Sequence, residues 1–201
     1  MSHDLHITGD AGADALLSAD PLALLIGMLL DQQVSMETAF AGPMKLRDRL
    51  GGFDAARIAG TEPERFVEIM RETPAVHRYP GSMGARTQSL CQRLLDDWGG
   101  DAAAIWTRPV AGQGGETAGP SGAEVLKRLK SLPGCGEQNA KIFRALLGKQ
   151  RGFDGDGWKH GAYQGELEVQ GRVWDLSTDE GRGAMFGIVD AVTRFEADGQ
   201  T

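Results

Sequence analysis

Gly134 and Gly136 stand two apart in Leu132-Pro133-Gly134-Cys135-Gly136, just ahead of a stretch with helical apolar spacing. Glycines at alternate positions permit a tight turn whose backbone N–H groups face outward, and the positive end of the following helix adds to their attraction for an anion. Such a corner suits a phosphate group; it also suits an ordinary αα-hairpin that binds nothing. The local charge favours the phosphate. Between Ser121 and Arg151 stand Lys127, Arg128, Lys130, Lys141, Arg144, Lys149 and Arg151 against Glu124 and Glu137, a balance of +5 within a chain of net charge −7. An acidic protein that gathers its positive charge at a phosphate-shaped turn is expected to hold a polyanion there.

Other residues with chemistry of their own are sparse. Cys91 and Cys135 give neither a disulfide framework nor metal-ligand spacing, so packed, reduced thiols are expected. His77 and Arg78 could bracket a phosphate, although capping and surface roles fit them better. With no partner ligand at metal spacing, neither a metal nor a cofactor is expected.

These residues must be positioned by helices. At 201 residues and 41% hydrophobic content the chain can bury one good core, or two intimate lobes. A pI near 5.1 argues against non-specific avidity for DNA, so any DNA contact must be local. Asp20-Pro21 predicts a capped helix start before the apolar run from Leu22 to Leu30, whose residues should be buried on every side. That run is shorter than the ~20 residues of a membrane span, and the N-terminus lacks a basic region followed by an apolar core. No membrane partner and a cytoplasmic location are expected. Polar residues Asp31, Gln32 and Gln33 end the buried helix. Further helices are predicted over 39–50, closed by Gly51-Gly52, then over 53–59, 62–72 and 83–98, the last capped by Ser82. Pro109 to Gly122 reads as a loop, and two helices over 123–148 flank the glycine turn. Beyond Gly148 the helical period is lost; Leu167 to Leu176 reads as extended, and Ser177 or Thr178 as the cap of a last helix.

The run LPGCGEQNAKIF resembles the helix-hairpin-helix motif of the base-excision DNA glycosylases of the HhH-GPD, or endonuclease III, superfamily. Residues 20–52 and 74–101 look like the helices that precede that motif, and ALLGKQ with the later Gly157-Trp158 is similar to a compact bacterial subgroup. Residues 20–150 carry most of the match, and the last fifty are poorly covered. The resemblance implies an all-α, two-lobed HhH-GPD fold. Its first lobe would hold six helices over 21–149, with the hairpin at 123–148, and its second would join 1–20 to 150–201. Double-stranded DNA with a damaged or mismatched base would lie in the cleft between them. The iron-sulfur cluster of many relatives is excluded, because no cysteine follows Cys135.

Removing a base passes through an oxocarbenium-like state, so a carboxylate must stabilise charge or activate water while the base is extruded. Bifunctional relatives place a Schiff-base lysine where this chain has Gln138, and an amide cannot attack a sugar carbon. The resemblance therefore implies a monofunctional glycosylase. Ungapped spacing puts the catalytic carboxylate at Asp156, with Asp154 beside it; the flanking Gly155 and Gly157 depart from the family pattern and leave open a simple surface turn. Gln33 matches the glutamine that projects toward DNA, or else merely marks the solvent end of a helix. Gly134, Gly136, Gln138, Lys141 and Lys149 would complete the DNA contacts. Two other readings stay open, a catalytically silent lesion binder and a helical protein-interaction module.

Overall fold

Asp20 ends one helix and begins the next. In the structure, a computed structural model describing residue 5 and residues 7–111, 117–150 and 153–156, with backbone alone at 111, 117, 149 and 150, helix α1 (Ala11–Ala19) stops there and α2 (Pro21–Leu30) starts. The Asp20 carboxylate accepts from the amides of Leu22 and Ala23 at 2.8 and 3.4 Å, while Pro21 fills a first-turn position that needs no donor. Every residue from Leu22 to Leu30 is buried, as predicted for a helix apolar all round. Two glycines let neighbours close on it. A Cβ on Gly27 would lie 2.6 Å from the Phe40 ring, and one on Gly42 would lie 2.5 Å from Leu30 Cδ1. These contacts seat α3 (Met36–Phe40) and α4 (Gly42–Leu50) against α2.

Helices α5 (Ala55–Gly60) and α6 (Pro63–Arg71) pack on the long α7 (Pro80–Trp98), whose Gly99 closes it in the left-handed conformation at φ +63°. A one-turn α8 (Ala104–Thr107) leads to a two-residue antiparallel ribbon, β1 (Val110–Ala111) with β2 (Thr117–Ala118). The hairpin follows as α9 (Gly122–Lys130) and α10 (Glu137–Gln150). The described chain is thus mostly helical, and the small ribbon occupies the stretch read as a loop.

Two boundaries differ from expectation for local reasons. The helix predicted over 39–50 breaks at Ala41, because Pro43 lacks the amide that would continue the ladder. The helix expected to start after Ser82 instead starts at Pro80, whose fixed φ suits a first turn, and the Ser82 hydroxyl only reaches back to the Tyr79 carbonyl at 3.5 Å. Between 21 and 150 nine helices are described, six of them nine residues or longer.

One apolar core runs through all of this, from Leu5, Ile7 and Leu17 through α2 and α7 to Phe143 and Phe153. The N-terminal segment joins it directly. Residues 157–201 lie outside the described residues, and with them Gly157-Trp158, the segment 167–176, the expected last helix and the second lobe they would form. Among the described residues no single helix is long and apolar enough to cross a membrane.

Candidate nucleic-acid interface

The two glycines of the turn are glycines for different reasons. Gly134 sits at φ +77°, and a Cβ there would meet Leu29 Cδ1 at 2.7 Å, so both its backbone conformation and its contact with α2 exclude a side chain. Gly136 is exposed, has no left-handed φ, and a Cβ on it would meet nothing within 4 Å. Nothing in the described fold requires glycine at 136. Helix α10 opens at this residue, with Ala140 N–H donating to the Gly136 carbonyl at 2.9 Å. None of the described residues accepts a hydrogen bond from the Glu137, Gln138 or Asn139 amides, whereas Asp or Ser side chains cap α1, α2, α3, α5 and α9. A void of about 10 Å³ lies among Leu29, Cys135, Asn139, Phe143 and their neighbours.

Gln32 locks this corner together. Its side-chain amide donates to the carbonyls of Leu29 at 2.8 Å and Gly134 at 3.1 Å, and its Oε1 accepts from Arg86 Nη1 at 2.7 Å. Its own carbonyl lies 3.1 Å from His77 Nε2. Because His77 Nδ1 accepts from the Tyr79 amide, the ring proton belongs on Nε2 and the imidazole is neutral. Burial lowers the pKa of His77, with the Gln32 carbonyl acting in opposition. The histidine is a structural tie, not a phosphate ligand. The neighbouring Gln33 is exposed at φ +60°, the sole described non-glycine residue with positive φ. A left-handed residue with a full side chain stores about 1 kcal/mol or more of strain. The fold therefore brings Gln33 to the same corner as Gly134, Gly136 and the half-buried Gln138.

The basic residues are less available than their number suggests. Lys130 and Lys141 both bind Glu137, at 2.9 and 3.0 Å, and their hydrogen bonds hold that carboxyl down at about 2. Arg128 is half-buried, paired with Glu124 at 3.0 Å, donating to the carbonyls of Ile105 and Arg108 and lying 5.3 Å from the Trp98 ring centroid. Arg144 is buried, donating to the Gly122 carbonyl at 3.1 Å. These two arginines brace α8, α9 and α10, so the expected +5 does not all face solvent. The side chain of Lys149, and all of Arg151, lie outside the described residues.

Asp156 is exposed, and its carbonyl accepts from the Gly122 amide at 2.7 Å. That bond sets residues 153–156 at the start of α9, the open end of the hairpin, about 13 Å of helix away from the glycine turn. Asp154 is exposed beside it. Neither carboxylate is brought to Gln33. The carboxylate nearest Gln33 in the chain is Asp31, which sequence reasoning passed over. It ends α2 half-buried, and burial together with the negative charge of Glu37 raises it from the ordinary 3.8 to about 6. The signal was legible in principle: an acid at the C-terminal end of an all-apolar helix opposes the helix dipole and earns no obvious stability there. The thiols are inert by comparison, with burial pushing Cys91 up to about 12 and Cys135 to about 11.

No protein-family model, curated protein or solved structure matches the chain.

Proposed function

We propose that this chain is a DNA-binding base-excision repair protein, a monofunctional DNA glycosylase on the two-lobed HhH-GPD plan. Duplex DNA with a damaged or mismatched base would lie against the hairpin turn. The observation that carries this reading is the corner itself: an unneeded glycine at 136, uncapped amides opening α10, and an exposed, strained Gln33 tied through Gln32 to the Gly134 carbonyl. The amides take a backbone phosphate, and Gln33 enters the gap left by the extruded base. Lys141, Lys149 and Gln138 add to the same contact, and Asp156 supplies the carboxylate that faces the sugar. Gln138 offers no amine, so the sugar-phosphate strand stays intact.

The separation of Asp156 from the turn favours a second reading, in which the protein binds lesions without excising them. Duplexes carrying single damaged bases, incubated with protein and then treated with hot alkali, decide between the two. A glycosylase leaves alkali-labile sites but no borohydride-trapped adduct. Asp156→Asn should cut the excision rate at least ~100-fold while leaving binding intact. If it excises at the wild-type rate and Asp31→Asn does not, Asp31 is the carboxylate. DNA binding with no alkali-labile sites from any lesion establishes the silent binder.

A further inference from the structure

We infer that Arg86 binds a DNA phosphodiester beside the hairpin, in an orientation set by Gln32; this rests on the DNA-binding reading above. Arg86 belongs to α7, an element that neither the glycine turn nor the basic cluster points to. Its side chain is exposed, and no described carboxylate lies within ion-pair distance of it. Three other exposed arginines are engaged by acids: Arg57 by Asp54, Arg65 by Glu68, Arg93 by Asp97. Arg86 is engaged by a neutral amide instead. Gln32 Oε1 takes one Nη1 hydrogen at 2.7 Å, and that amide cannot swing away because its nitrogen is fixed on the Leu29 and Gly134 carbonyls. The arginine stem lies over the turn, with Cδ only 3.5 Å from where a Gly134 Cβ would stand.

The result is a guanidinium held in one orientation without losing its charge. Ordering a free arginine on binding costs rotamer freedom, and here much of that ordering precedes the ligand. Nε and Nη2 keep donors in a planar fork, which matches two phosphate oxygens better than an ammonium does. A neutral clamp is also the appropriate one, since a carboxylate in place of Gln32 would repel the phosphate.

Affinity for a fluorescein-labelled duplex with a central abasic-site analogue, measured by anisotropy from 50 to 300 mM salt, tests this. Arg86→Gln should weaken binding about tenfold and reduce the slope of log affinity against log salt by about one unit. Arg86→Lys should restore the slope while recovering only part of the affinity. Arg65→Gln, on α6, should change neither. A purely structural Arg86 would alter the melting temperature and leave the slope alone. If Arg86→Gln keeps wild-type affinity and slope while Gly136→Ala weakens binding, Arg86 is no phosphate ligand and the DNA reading stands. If the wild type shows no salt-dependent binding, both fall. Should Arg86→Gln not fold, undiminished affinity in Arg86→Lys would overturn the role of the planar fork.

Discussion

A glycine pair that looks symmetrical in the sequence divides by function once packing is known. Gly134→Ala forces a left-handed alanine against Leu29 and should destabilise the protein by about 2 kcal/mol or more. Gly136→Ala meets open space at a helix start, and thermal unfolding should shift by less than about 1 kcal/mol. Equal losses in the two variants would mean that the fold itself requires both glycines. Asp31 yields a second prediction at this scale. With its folded pKa at about 6 against an ordinary 3.8, the native state holds a proton through that window that the unfolded chain has released. Stability should therefore fall as pH rises from about 4 to 6, by up to about 3 kcal/mol at neutral pH. Asp31→Asn should lack this fall relative to wild type across the same range and be more stable than wild type at pH 7 in urea denaturation. An unchanged pH profile would show that Asp31 titrates normally. A carboxylate that weakens the protein at working pH is the kind of group retained for a task other than folding.

The elements of the corner set how much charge it can offer. Glu137 occupies Lys130 on α9 and Lys141 on α10 simultaneously, joining the two arms of the hairpin and neutralising half of their charge. Glu137→Gln should release both ammonium groups, tightening DNA binding and steepening the salt slope by up to about two units. An unchanged slope would place both lysines away from DNA. The elements themselves were largely legible in the sequence: the buried α2, its Asp20-Pro21 start, the glycine stop at 51 and the two arms of the hairpin all follow from period and caps. What was not legible depends on tertiary contacts. A charge count sees Arg128 and Arg144 as part of a basic face, because nothing local reveals that they turn inward onto carbonyls of Ile105, Arg108 and Gly122. Gln32, the hub, reads as an ordinary polar helix end. Its partners Gly134, Arg86 and His77 lie 45 to 102 residues away. Asp156, expected from the resemblance, has its carbonyl tied to the Gly122 amide at the start of α9, a long-range contact that local sequence does not reveal.

For the whole molecule the governing fact is a net charge of −7. General attraction to DNA is weak at that charge, so the proposed binding would have to come from a small, ordered face against the repulsion of the rest. The corner of Gly136, Gln33 and Gln32 is the proposed face. Its most direct test is the affinity of wild type and Gly136→Ala for duplex DNA with and without a central abasic-site analogue, over graded salt. Wild type should bind in a salt-dependent manner, more tightly to the abasic duplex, and Gly136→Ala should lose about tenfold or more in affinity with its thermal unfolding nearly unchanged. Equal affinity of the two proteins, or no salt-dependent binding by either, would contradict the proposal.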